Sequence, residues 1–243
     1  MKTKVLIFNF PMIISLMLMM VGSQVMAQKV TGSRNPVAET RQLTGFDGVK
    51  AGGAFNIFLT QGSEYHVEVI ADDNLIDLIE TTVEGGVLEI SMRPRVNLRR
   101  YKSLEVHITA PSFSALHASG ACDMIATNTL RGDELVIRAS GASDIEMDLK
   151  VAYLDITCSG ASDAILSGQI QTAEARFSGA SDLKAKNLEC STLHLKMSGS
   201  SDAHVSVTDE VSGSLSGSSD LTVIGRPVID VRTSGSASVS SGR

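Results

Sequence analysis

The sequence predicts an all-β chain, a single-domain right-handed parallel β-helix (solenoid) with coils of about 19 residues and an irregular N-terminal capping region. Three observations predict it. A five-residue motif, S-G-A-S-D, recurs at near-constant spacing along the C-terminal half. Apolar and polar residues alternate on both sides of each copy. Aromatic residues make up only 4 % of the chain, with no Trp, so the core must be filled by aliphatic and small side chains, which suits thin regular layers.

The first residues address the compartment. Lys2 and Lys4 supply a positive start, Val5 to Val21 form an apolar stretch, and Val25-Met26-Ala27 offers small residues at both recognition positions of a signal-peptidase site. Residues 1–27 are therefore expected to be a cleaved signal peptide, leaving Gln28 as the mature N-terminus. A retained membrane anchor is the rival, but Asn9 and Pro11 interrupt the apolar stretch. No Cys follows it to carry a bacterial lipid anchor. An exported protein is expected, in the periplasm, on the outer-membrane surface or outside the cell, with no membrane insertion of the mature chain. Without Lys2 and Lys4 the chain carries 19 basic against 27 acidic side chains, a formal charge of −8. Such a surface is poorly suited to neutralising phosphates, so nucleic acid is not an expected partner.

Residues 28–44 read as a loosely held lead-in, and residues 45–243 as the solenoid domain. Within it, 45–111 form an irregular first coil and cap. Gly53-Ala54-Phe55-Asn56 matches the repeated corner with Asn in the Asp place, flanked by Val49 and Ala51 before and Ile57 and Leu59 after. His66 to Ile70 reads as a strand, Asp73 to Ile79 as a short helical turn, Glu84-Gly85-Gly86 as the bend of a strand pair, and Leu104 to Ile108 as a strand entering the regular array. End repeats are normally atypical.

Residues 112–243 carry the regular coils. The motif glycines fall at 120, 141, 160, 179, 199, 217 and 235, in steps of 21, 19, 19, 20, 18 and 18. Before each glycine stand alternating apolar residues: Leu135, Ile137 and Ala139; Leu154, Ile156 and Cys158; Ala173, Ala175 and Phe177; Leu193, Leu195 and Met197. After it come Ile145 and Met147, Ala164 and Leu166, Leu183 and Ala185, Ala203 and Val205, Leu221 and Val223. That alternation is the period of a half-buried strand. Each unit is thus strand, tight corner, strand and a less regular second turn. It is too short for a propeller blade of roughly 40 residues and lacks a leucine-rich pattern. One coil of a parallel solenoid fits, with coils stacked about 4.8 Å apart so that equivalent positions form ladders.

The Phe46-Asp47-Gly48-Val49 opening, Gly53-Ala54-Phe55-Asn56-Ile57, the Ala71 to Leu75 stretch, Gly86-Val87-Leu88-Glu89-Ile90 and the serial S-G-A-S-D corners together resemble the bacterial family called putative autotransporter adhesin, head GIN domain. The resemblance covers nearly all of the mature chain. It implies a secreted parallel β-helix, often from gut Bacteroidales, and by the family's name it implies adhesion. Against self-translocation, the chain ends at Arg243 in a Ser/Gly-rich tail without amphipathic strands for an outer-membrane barrel.

The sharpest chemical feature is the acidic column Asp123, Asp144, Asp163, Asp182, Asp202 and Asp220, each three residues after its glycine. Carboxylates about 5 Å apart repel by nearly 1 kcal/mol per pair even in water. Turn amides can offset that, as in an Asx-turn, and a row of Ca²⁺ ions is the rival. The spacing differs from Ca²⁺-binding nonapeptide repeats, so the local reading is preferred and no cofactor is expected. The serines at 119, 140, 159, 178, 198, 216 and 234 form a second column, read as hydrogen-bonding ladder residues; no G-x-S-x-G elbow marks a nucleophile. Histidines 66, 107, 117, 194 and 204 lack ligand spacing, and His194 and His204 fall on outward positions. Cys122 takes a turn position and Cys158 a core position, with Cys190 the third; all read as free, buried or half-buried fillers. A basic cluster, Arg93, Arg95, Arg99, Arg100 and Lys102 with Tyr101, is the candidate ligand patch. It suits an anionic glycan or another subunit, against the plainer reading of a solvated loop or a charged guard on a sheet edge.

Three functions follow. The first is a non-enzymatic adhesin-like or scaffolding module whose partners are glycans or host and cell-surface proteins, with homo-oligomers suited to the solenoid's open ends. The second is a polysaccharide-binding or polysaccharide-processing β-helix. The third is a carrier of lipid or another apolar ligand. Identical recurring acids argue against one irregular catalytic cleft, and thin coils argue against an apolar pocket, so the first is preferred.

Overall fold

The computed structural model describes residues 28–242, so the expected signal peptide lies outside the described residues. The N-terminal part contains β1 (Gln28–Thr31), β2 (Pro36–Arg41), β3 (Gly48–Gly53), β4 (Asn56–Gln61), β5 (His66–Asp72), β6 (Ile79–Glu84), β7 (Val87–Met92), β8 (Val96–Arg99) and β9 (Leu104–Ala110). The regular part contains β10 (Ala115–Gly120), β11 (Asp123–Ala126), β12 (Leu130–Gly141), β13 (Ile145–Gly160), β14 (Ala164–Gly179), β15 (Leu183–Gly199), β16 (Asp202–Leu215), β17 (Asp220–Ile224), β18 (Val228–Thr233) and β19 (Ser238–Ser241). A 3₁₀ turn, Ile76–Leu78, sits where the short helical turn is expected.

From β10 onward every pairing is parallel and coil-on-coil, which makes the molecule a parallel β-solenoid. The motif glycines align in one column, Gly120 on Gly141, Gly160, Gly179 and Gly199. Asn56 aligns with Asp123, so the irregular corner at Gly53 joins the same column. The glycine is obligatory at this corner. At Gly160 φ is +87°, and an added Cβ would lie 2.5 Å from the Gly141 carbonyl oxygen. That carbonyl accepts the Ala161 amide at 2.8 Å, and the same bond recurs at each corner of the stack.

Length differences between coils are absorbed at the second turn. The β14–β15 register slips between Ile165 and Ser167, where Lys184 and Asn187 are the partners, and the β15–β16 register slips after Ala185. These bulges take up the long and short steps, so the S-G-A-S-D corners stay aligned. Inward side chains compensate within a layer. The coil from Gly160 to Gly179 puts Ala164, Ala173 and Ala175 inside, and Phe177, 2 % exposed, fills the space they leave. Interiors packed this closely tolerate little loss of volume.

The N-terminal region departs from simple stacking. β3 lies between β7 and β10, and β4 between β9 and β11, so the coil formed by β7 and β9 is outermost although it comes later in the chain. The outermost strands are then covered, β7 by the antiparallel β6 and β9 by the antiparallel β5. Residues 28–44 are not a loose lead-in: β2 pairs antiparallel with β5, and β1 pairs in parallel with β8. Buried Asp72 holds this cap together. Its carboxylate accepts the amides of Arg34 at 2.9 Å and Lys102 at 3.2 Å, tying two distant loops to one point.

Candidate functional site

Position within the motif decides what each polar residue does. The fourth residue points inward: Ser143, Ser162, Ser181, Ser201 and Ser219 are fully buried. Each donates its hydroxyl proton to the carbonyl of the motif's first serine, as Ser162 does to Ser159 at 3.1 Å. Each hydroxyl also accepts the amide of the fourth residue in the preceding coil, from Cys122 N to Ser143 Oγ at 3.2 Å through Ser201 N to Ser219 Oγ at 3.5 Å. The sequence reading assigned the hydrogen-bonded ladder to the first serine; the continuous buried ladder runs through the fourth. Its ends are apolar or weakly polar, Cys122 at one end and Ala237 at the other.

The fifth residue points outward and forms the aspartate column. Asp123, Asp144, Asp163 and Asp182 each accept, through Oδ1, the amide of the aspartate in the next coil, at 3.1–3.3 Å. Asp220 accepts the Ser238 hydroxyl at 2.6 Å. Four of the six carboxylates are therefore held by amides, and the donors belong to the neighbouring coil rather than to the same turn, as an Asx-turn would have it. Lys184 bridges to Asp163 at 2.7 Å, which further offsets the repulsion along the column and raises the lysine pKa above its ordinary value. Among the described residues no three His, Cys, Asp or Glu side chains converge as a metal site would require.

The third residue before each glycine builds a column the sequence reading missed: Lys50, His117, Arg138, Thr157, Arg176, Lys196, Ser214 and Arg232. The signal was present in the fixed spacing to each glycine. Carboxylates neutralise much of it, with Glu89 2.8 Å from Lys50, Asp155 against Arg138 and Arg176, and Glu174 against Arg176. Partial desolvation lowers the pKa of His117 on this outer face, and the charges of Arg138 and Lys50 add to the effect.

Of the other histidines, His107 stacks on Phe58 with ring centroids 4.6 Å apart, and His194 meets Ser212 Oγ at 3.2 Å. His204 is exposed on the outer face. All three cysteines are free and buried. Burial pushes the thiols of Cys122 and Cys158 up to about 12 and that of Cys190 to about 11.

Two outer concavities stand out. The larger, about 650 Å³, lies on the face after the corner; Glu146, Ile165, Lys184 and His204 line it, with Asp182 and Asp202 from the aspartate column. The second-turn bulge supplies another wall through Lys186 and Asn187. The second, about 450 Å³, lies at the capped end and includes Arg95 and Tyr101 of the predicted basic cluster. Within that cluster Arg93 is engaged, by Glu80 at 3.7 Å and the Asp77 carbonyl at 3.0 Å, whereas Arg95, Arg99, Arg100 and Lys102 form no ion pair among the described residues. The interior, by contrast, holds a void of only about 20 Å³ beside the alanine-rich coil.

Fold and surface together define a capped parallel β-solenoid with a filled core and charged outer ladders. The chain belongs to the family described as putative auto-transporter adhesin, head GIN domain, whose model matches residues 45–227. Among solved structures it is similar to a putative adhesin from Bacteroides fragilis, with TM-score 0.84 and 22 % identity over 88 % of this chain and 100 % of that one. A putative adhesin from Parabacteroides merdae gives TM-score 0.72 and 19 % identity over 89 % and 100 % of the two chains. A protein from Parabacteroides distasonis described as a putative lipid binding protein gives the same values. At these identities the likeness shows the fold. No curated protein matches the chain.

Proposed function

We propose that this chain is an exported, non-enzymatic adhesive or scaffolding module that holds glycans or cell-surface proteins through its outward-facing side chains. One observation carries this reading: the interior void beside the alanine-rich coil is only about 20 Å³, while concavities of about 650 and 450 Å³ lie on the outside. A catalytic reading would need one irregular convergence of acid, base and nucleophile. The polar columns here repeat coil after coil, and their inner members are consumed by the ladder bonds. Membership of an adhesin family supports both the adhesive role and export.

A carrier of lipid is the second reading, because one structural relative is described as a putative lipid binding protein and Ile165 is 45 % exposed in the larger groove. A drug-sized or larger apolar ligand needs an enclosed site of roughly 300 Å³ or more, far beyond the interior void. A polysaccharide-processing role has no comparable observation in its favour. An array of glycans and host-matrix proteins probed with the mature chain tests the proposal. Saturable binding to a defined group of surface ligands is expected. A blank array, with lipid co-purifying in native mass spectrometry, would establish the carrier instead.

A further inference from the structure

We infer that the cationic tip formed by β1, β8 and the loops beside them binds an anionic polysaccharide, a polymer bearing carboxylate or sulfate groups. This rests on the adhesive reading above and names its ligand class. The tip comprises Lys29, Arg34, Arg95, Arg99, Arg100 and Lys102, all exposed. None of the six enters an ion pair among the described residues.

Folding assembles the tip from separate segments. Parallel pairing sets Lys29 beside Asn97 and Thr31 beside Arg99, and the Gly32 amide donates to the Arg99 carbonyl at 3.0 Å. The shared Asp72 carboxylate then draws the backbone of Arg34 to that of Lys102. Gly32 permits the approach, since a Cβ there would lie 2.7 Å from the Tyr101 Cα.

Guarding a sheet edge does not account for this arrangement. An edge guard needs charge on the strands, yet Arg34, Arg95 and Arg100 lie outside them. They are also the non-glycine residues with left-handed backbones among those described, at φ 66°, 69° and 52°. Glycine or asparagine would adopt that conformation with less strain. Three guanidinium groups held at such positions point to a use for the side chain itself.

The surroundings favour a polyanion. Asp72 is buried and engaged by amides, Asp73 is held by the Asn35 side chain at 3.1 Å, and Glu80 faces Arg93. Asp72 and Asp73 keep their charge, yet the six cations outnumber them, so the tip is a positive site in a chain of net charge −6 and attracts anionic polymers. Beside the charges the capped-end groove offers Tyr101, Val96 and Leu98 as a face for the sugar ring, with Arg95 at its margin. The basic column on the coil face is less open, because Arg138, Arg176 and Lys50 are paired with carboxylates.

The test uses the mature chain and four probes: heparin, polygalacturonate, neutral dextran, and phosphatidylglycerol vesicles. Heparin and polygalacturonate are expected to bind, more weakly as salt is raised, with dextran inert and vesicles bound less well. R95Q/R99Q/R100Q/K102Q should lower that affinity on the order of tenfold, while K150Q/K196Q, at exposed lysines of β13 and β15 in the regular coils, leaves it unchanged. If the fourfold variant melts lower than the parent, R99Q/K102Q is used in its place and should lose affinity several-fold. Undiminished binding by these variants overturns the inference. So does a preference for the vesicles, which would make the tip a membrane contact. Binding only to neutral glycans or proteins on the array overturns the ligand class and leaves the adhesive reading standing; a blank array removes both.

Discussion

The backbone amide of Ser143 donates to the hydroxyl of Ser162, one coil further on, at 3.3 Å. Ser162 meanwhile donates its own hydroxyl proton to the Ser159 carbonyl at 3.1 Å. The buried serine is therefore a joint between coils as well as a brace within one corner. Replacing it by alanine would strand the Ser143 amide in a dry interior, at a cost of about 1–3 kcal/mol. Ser162→Ala is expected to lower the urea midpoint accordingly with an unchanged slope. Ser159→Ala, which keeps the carbonyl, should stay within about 0.5 kcal/mol of the parent.

The corner glycine makes a sharper contrast. Gly160→Ala places a methyl group against the Gly141 carbonyl at a positive φ, and a loss of about 3 kcal/mol or more is expected in thermal or urea unfolding. Gly132→Ala meets nothing closer than 4.0 Å and has no positive φ. It should be neutral or stabilise by about 0.4–1 kcal/mol.

Asp72 makes a regional prediction. Asp72→Ala removes the acceptor shared by Arg34 and Lys102, so the cap should loosen while the regular coils hold. Hydrogen exchange is expected to rise at residues 32–35 and 100–103 and to stay slow from 145 to 199. Uniform acceleration across the chain would mean that cap and coils form one cooperative unit.

His117 introduces a pH dependence. Its folded pKa lies below the ordinary 6.5, first through partial desolvation and then through Arg138 and Lys50. The unfolded chain therefore binds the proton more readily, and stability present above about pH 6.5 is lost as pH falls through the folded pKa. His117→Gln should flatten that part of the stability curve, and Arg138→Gln should move the NMR titration midpoint of His117 upward.

The regular half of the fold was legible because one motif position must be glycine and the inward positions must be apolar, so both recur visibly. The inner serine was passed over since its letter equals that of the outer one. The exceptions marked its burial: Phe55, Cys122 and Ala237 take its place in other coils. The order of the N-terminal coils was hidden, because alternation shows that Val49 and Ala51 face inward but not which edge of β3 receives β7. Lys29 and Arg34 were invisible as parts of the basic cluster for the same reason, as only the pairing of β1 with β8 and the Asp72 contacts bring them there. Arg93 looked equivalent to its neighbours and is set apart by Glu80, a partner on another strand.

The register of the stack is most directly tested with nitroxide pairs on the outward column Thr157, Arg176 and Lys196. The native thiols are buried with raised pKa values, so labels will enter only the introduced cysteines. T157C/R176C places labels one coil apart, at a backbone separation of about 4.8 Å, and T157C/K196C two coils apart, at about 10 Å. Strong spin–spin broadening in the first pair and clearly weaker broadening in the second is the expected result. Spectra without broadening in either pair would contradict coil-on-coil stacking, and with it the account of every ladder on this protein.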